Sequence, residues 1–292
     1  MQRHRQSAAW MGAILGTVCA LFVFPLTSRA SDHHGAFTEE FHQTYALTPE
    51  GRVELDNING AVHISSWDRN EVKVDAVKYA DGKDRLEEAK IEIDSGKDYI
   101  SIRTKYRNQN LTFNWPSRHN PAGVEYTLTV PRGARLDKVN LINGDLDVTG
   151  VSGEVHANCI NGRLDARNLN GRAELSTING RLDARFEQLA GSRLELSSVN
   201  GSVELTIPSD SKAEIEASTV SGGIENDFGL RVIRHQFVGH DLRGELGSGG
   251  ARIHLSNVNG HIEIHHANDG RTMSPVKDLS REDRDDNDDD SI

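Results

Sequence analysis

Short runs of alternating apolar and polar residues, interrupted at regular intervals by Asn-Gly, set the pattern of this chain. The dipeptide recurs at Asn59-Gly60, Asn143-Gly144, Asn161-Gly162, Asn179-Gly180, Asn200-Gly201 and Asn259-Gly260, and Ser221-Gly222 takes the equivalent place between the last two. Counted between glycines from Gly144 onward, the steps are 18, 18, 21 and 21 residues and then 38, about two repeats. An internal period near twenty residues marks a stacked array. Around each glycine, apolar residues fall at offsets −7, −5, −2, +2 and +4. Around Gly180 these are Ala173, Leu175, Ile178, Leu182 and Ala184; around Gly201, Leu194, Leu196, Val199, Val203 and Leu205; around Gly260, Ile253, Leu255, Val258, Ile262 and Ile264. The pattern breaks at Asp137 before Gly144 and at Asn226 after Gly222.

Alternation on each side of the dipeptide predicts two short strands, each with one buried face. A second corner follows about nine residues on, at Val151-Ser152-Gly153 and Leu169-Asn170-Gly171. Asn-Gly between alternating strands is also a hairpin signal. The near-constant repeat length, and the apolar-x-Gly-x-apolar pattern shared by both corners, favour stacked coils whose strands pair in parallel with their copies in the next coil. The predicted fold is all-β: a single-stranded parallel β-helix, or β-solenoid, with about 18–21 residues per coil and an N-terminal β-rich cap.

Stacking aligns outward positions into ladders. The Asn before each glycine can hydrogen-bond to its copy in the next coil, as stacked amides do in cross-β assemblies. At offset +3 the row reads His63, Asp147, Asp165, Asp183, Glu204, Glu225 and Glu263. Like charges at strand spacing repel, and Arg163, Arg167, Arg181 and Arg185 flank the central acids. The row offers either a cation or polycation site or a solvated face that blocks lateral sheet aggregation.

The segments outside the array divide the chain into residues 1–30, 36–131, 132–267 and 268–292. Residues 1–30 have the three parts of a secretory signal: Arg3 and Arg5, an apolar run from Ala8 to Phe24, and Ser28-Arg29-Ala30 before Ser31. The run also approaches spanning length, so an uncleaved anchor is the alternative. Residues 36–131 contain one repeat copy (Val53 to Trp67), a strand from Glu71 to Tyr79, a helical turn near Asp84 to Ala89, a hairpin about Gly96, a loop from Pro116 to Pro121 and a strand from Val124 to Val130. This segment is expected to cap the array. Residues 268–292, acidic and poor in apolar side chains from Asp278 on, are expected to be disordered.

Charge and cysteine usage narrow the possible jobs. The formal net charge is −11, of which the tail from Asp278 contributes −6 and residues 1–30 contribute +3, leaving −8 on the body. A net acidic body excludes a nucleic-acid-binding role, which needs a basic face. Beyond the apolar leader only Cys159 remains, so neither an internal disulfide nor a cysteine zinc set can form. Its place in the repeat predicts a small side chain near a buried corner.

The run Gly51-Arg-Val-Glu-Leu-Asp-Asn-Ile-Asn-Gly60, followed by Val62-His-Ile-Ser-Ser-Trp67-Asp68, resembles the opening of a bacterial putative-adhesin family of β-strand-repeat domains. Tyr126-Thr-Leu-Thr-Val-Pro131 and Gly244-Glu-Leu-Gly-Ser-Gly-Gly250 before Ile253-His-Leu-Ser-Asn-Val-Asn-Gly260 extend the resemblance over about 36–267. It implies an exported, non-enzymatic solenoid in surface adhesion or envelope-stress sensing, with no catalytic or binding residues to carry over.

His254, His261 and His265 are the candidate metal ligands, but His261 and His265 share a strand face about 13 Å apart, too far for one ion. The G-G-x-G-x-D loops of calcium-binding β-rolls are absent, as are the G-x-S-x-G, H-E-x-x-H and phosphate-loop motifs. The carboxylates form even rows without a unique acid–base cluster. The sequence therefore predicts no enzyme, no cofactor and no metal. The expected function is an exported interaction protein of the periplasm or cell surface, binding an envelope glycan or protein or associating with itself, with no stable membrane span after signal cleavage. The alternative is a periplasmic envelope-stress sensor or regulatory partner of a membrane signalling system.

Overall fold

A computed structural model describes residues 36–107, 121–189, 191, 193–236 and 238–280. The expected signal segment 1–30 lies outside these residues, as do most of the expected loop and the tail from 281. The N-terminal part comprises β1 (Phe37–Ala46), β2 (Arg52–Asn59), β3 (Val62–Trp67), β4 (Glu71–Ala80), the single turn α1 (Lys83–Leu86), β5 (Ala89–Ser95), β6 (Tyr99–Tyr106) and β7 (Gly123–Pro131). The repeats follow as β8 (Arg135–Asn143), β9 (Leu146–Thr149), β10 (Val155–Asn161), β11 (Leu164–Leu169), β12 (Ala173–Asn179), β13 (Leu182–Phe186), β14 (Arg193–Asn200), β15 (Val203–Ile207), β16 (Ala213–Ser221) and β17 (Ile224–Asn226). The described residues close with β18 (Val232–Arg234), β19 (His240–Leu246), β20 (Ala251–Asn259), β21 (Ile262–His266) and β22 (Val276–Asp278).

Strands on the two sides of each Asn-Gly belong to different sheets. The ten-stranded sheet has the order β1-β4-β7-β3-β9-β11-β13-β15-β21-β17. The twelve-stranded sheet has the order β18-β19-β16-β20-β14-β12-β10-β8-β2-β6-β5, with β22 on β19. Within the array, pairing is parallel and copy to copy: Leu175 aligns with Ala157 and Leu196, and Leu182 with Leu164 and Val203. The expected alternation packs the core. Ala173, Leu175, Leu182 and Ala184 around Gly180 are all buried, and both sheets feed one continuous apolar cluster. All the described residues fall in one compact unit.

The architecture is all-β, but a parallel helix predicts parallel pairs alone and the sheets are mixed. β1/β4, β4/β7 and β5/β6 at one end, and β16/β19, β18/β19 and β19/β22 at the other, are antiparallel. Repeat order in space also differs from repeat order along the chain. The Gly260 repeat does not follow the Gly222 repeat; β20 and β21 insert between β14/β15 and β16/β17. The 38-residue step is one returning excursion, in which β18 and β19 cover the outer edge of β16. Alternation specifies which face of a strand is buried, but not which neighbour it pairs with.

Both breaks in the pattern have local causes. At Asp137 the register slips between Val53 and Glu54 of the partner strand, so Leu136 takes the buried place and Asp137 is the extra residue of a bulge. At Asn226 the stack ends. There the side chain donates to Leu230 O at 2.9 Å and accepts from Leu230 N at 2.8 Å, closing a loop in place of a further strand. The tail expected to be disordered from 268 is placed as far as 280, because Val276–Asp278 adds to the free edge of β19.

Candidate functional site

The repeat corner combines a backbone requirement with a side-chain ladder. Gly162 and Gly180 have φ of +149° and +154°, a region that L side chains rarely adopt. A β-carbon on either would also meet the carbonyl of the glycine in the preceding repeat, Gly144 or Gly162. The same close approach links Gly144 to Gly60, Gly201 to Gly180, Gly260 to Gly201 and Gly222 to Gly260. Beside the glycines, Asn143 donates to Asn59 and Asn161 to Asn143, both at 2.8 Å. Asn179 donates to Asn161 at 2.8 Å, Asn200 to Asn179 at 3.0 Å and Asn259 to Asn200 at 2.9 Å. Ser221, in register with Asn259, ends the ladder.

The +3 positions form a row on the outer face of the ten-stranded sheet. Register runs from His63 to Asp147, Asp165, Asp183, Glu204, Glu263 and Glu225. Asp165 and Asp183 are buried at 4% and 5% exposure, which makes their neutralisation necessary rather than decorative. Arg167 pairs with Asp165, and Arg185 reaches Asp183 at 3.1 Å. Arg181 bridges Asp183 and Glu204, while Arg163 sits 3.5 Å from Asp145 and 3.8 Å from Asp147. The central row is thus an alternating lattice of acids and guanidiniums.

Histidines occupy both ends of this face. His63 Nδ1 lies 2.8 Å from Asp147; that hydrogen bond raises the imidazole pKa and lowers that of the carboxyl. His265 lies 3.0 Å from Asp227 and 3.3 Å from Glu263; burial pulls its pKa down, but the two hydrogen bonds raise it on balance. His254 is on the twelve-stranded sheet, 3.6 Å from Glu216, whereas His261 is at the corner and accepts from Gly223 N at 3.3 Å. The fold therefore does not gather His254, His261 and His265. Among the described residues no group of three or more His, Cys, Asp or Glu is arranged to hold a metal ion.

Cys159 is buried at offset −3, where its thiol donates to Gly144 O at 3.4 Å and burial pushes its pKa up to about 11. Thr219 and Asn257 occupy the same offset and reach Gly260 O at 3.2 Å and Gly201 O at 2.7 Å. Two open clefts of about 650 and 580 Å³ lie around β5. Among their carboxylates, Glu39 and Glu92 are tied to Lys78 and Lys105 at 2.9 and 2.7 Å.

One surface went unnoticed in the sequence. The −2 residues do not enter the core: Ile142, Ile160, Ile178, Val199, Val258 and Val220 are 36–52% exposed. Parity is the missed signal, because −7 and −5 predict −3, not −2, as the third inward position.

Residues 135–265 match the Toastrack family, DUF4097. This stretch is similar to that family, whose domains are of unknown function. No curated protein matches the chain. Among solved structures, a putative cell adhesion protein from Clostridium sporogenes is 12% identical with a TM-score of 0.41, over 78% of this chain and 100% of that one. A putative adhesin from Bacteroides fragilis is 10% identical with a TM-score of 0.38, over 77% and 97%. A putative lipid binding protein from Parabacteroides distasonis is 8% identical with a TM-score of 0.27, over 80% and 98%.

Proposed function

We propose that the chain is an exported, non-enzymatic β-solenoid that acts as an interaction protein of the cell envelope. The observation that carries this reading is copy-to-copy parallel register, with Leu175 in line with Ala157 and Leu196. Such register turns each sequence offset into a straight row along the molecule. A surface of straight, internally bonded rows suits an extended ligand better than a small substrate.

Two further features support the reading. The leader-like pattern of residues 1–30 directs the chain out of the cytoplasm. The acids of the central row are engaged with Arg167, Arg181 and Arg185, so they are not poised as acid–base pairs. No helix among the described residues is long and apolar enough to cross a membrane.

Co-sedimentation of the purified chain with sacculi, lipid vesicles and outer-surface material tests the proposal. Saturable binding to one fraction identifies the ligand class. Absence of binding to all three rejects adhesion and directs the search to a protein partner of a signalling system.

A further inference from the structure

A row of β-branched side chains runs along the outer face of the twelve-stranded sheet from Ile58, through Ile178 at its centre, to Val220. Its order follows the pairing of the strands, Asn57 with Leu141 at one end and Thr219 with Asn257 at the other. With strands about 4.8 Å apart, the row is roughly 29 Å long. β-Branched residues are stiff at χ1, so the row is a fixed relief.

Polar ladders flank it on both sides, and much of their bonding capacity is used internally. On one side is the Asn ladder of the corners. On the other, at offset −4, Asn140 donates to Asp56 at 2.7 Å, Asn158 to Asn140 at 3.1 Å, and Ser176 to Asn158. Side chains that already bond one another lose less when water is removed from above them.

Charge selects the occupant. In these three rows only Asp56 carries a formal charge, and Lys138 pairs with it at 3.1 Å. The chain as a whole carries −11, so two copies repel one another through most other approaches. This strip lets them meet without opposing like charges, whereas a cationic ligand finds no counter-charge on it.

We propose that the strip is a self-association face, on which a second copy lays its own row antiparallel about a two-fold axis near Ile178. Identical spacing in the two copies lets each β-branched side chain fall between two of the other row. A strip about 29 Å long and three rows wide is smaller than the ~800 Å² per partner of a standard stable interface, so a weak, concentration-dependent dimer is expected. The inference is independent of what the envelope ligand is.

Sedimentation velocity across a concentration series tests it on the purified chain. The wild type is expected to pass from monomer to dimer, and the Ile178→Lys/Val199→Lys variant to dissociate at least about tenfold more readily. Both side chains are exposed, and circular dichroism checks that the variant is folded. Disulfide trapping gives the geometry: Ile178→Cys cross-links to itself, Val220→Cys does not, and a mixture of Val220→Cys with Ile58→Cys cross-links. A wild type that stays monomeric throughout, or a Lys variant with unchanged association, overturns the proposal. Vesicle or glycan binding that the Lys variant loses, with a wild type that is itself monomeric throughout, assigns the strip to that ligand instead.

Discussion

Gly162 faces the carbonyl oxygen of Gly144 so closely that no β-carbon fits between them, and its φ of +149° is hostile to any L side chain. Gly162→Ala therefore meets a conformational cost of about 1–2 kcal/mol and a clash with immovable backbone. A total loss above about 4 kcal/mol is expected. Gly229→Ala is the control: its φ is +80° but nothing lies within 4 Å of the added carbon, so only about 1 kcal/mol is lost. Urea unfolding midpoints of the two variants separate the clash from the backbone cost.

The Asn ladder has a direction, each amide donating to its predecessor in the stack. Asn179→Ala removes one bond to Asn161 and one from Asn200. At this exposed site the loss is about 1–2 kcal/mol. Ser221→Asn should do the reverse, adding a donor in register with Asn259 and raising stability by about 0.5–1 kcal/mol. Thermal unfolding of both variants checks the opposite signs.

His63 and Asp147 make stability depend on pH in two directions. The raised His63 pKa stabilises fully below the unfolded value of 6.5 and is lost as pH rises through the folded one. The lowered Asp147 pKa contributes above 3.8 and is lost as pH falls through its folded value. His63→Gln should therefore cost most between about pH 4 and 6.5 and least near pH 9. Because the pair is partly exposed, the difference stays below about 1 kcal/mol. Melting curves at pH 5.5 and pH 8.5 measure it; a residual slope remains, since His42 and His265 are raised in the same way.

Removing the guanidiniums should expose repulsion within the acid row. Arg181→Ala/Arg185→Ala leaves Asp183 nearly buried and without these two partners, beside Asp165 and Glu204. The expected loss is about 2–3 kcal/mol at pH 7. Urea unfolding midpoints of the variant and the wild type measure it.

Much of this fold was legible because a repeat states its own period and its inward residues. Ala173, Leu175, Leu182 and Ala184 could be placed in the core from one register alone. What the alternation cannot encode is adjacency: the strands before Gly222 and Gly260 both suit a place with neighbours on each side, and only the return through β18 and β19 decides between them. The acid row was visible, but the near-burial of Asp165 and Asp183 beneath their arginines was not, since an outward offset does not report what lies over it. The apolar strip was misread for a simpler reason. Ile178, Val199 and Val258 look like core residues by type, and only their parity against −7 and −5 separates them from it.

The insertion of β20 between β14 and β16 bears on how the chain acquires its shape as it emerges from the N-terminus. Assembly can proceed copy upon copy as far as Asn200-Gly201, and then it must wait. Residues 213–226 arrive next but lack their native partners within the array until residues 251–266 have followed them. Vectorial growth ends at β15, and the last two repeats close together, in reverse order of synthesis.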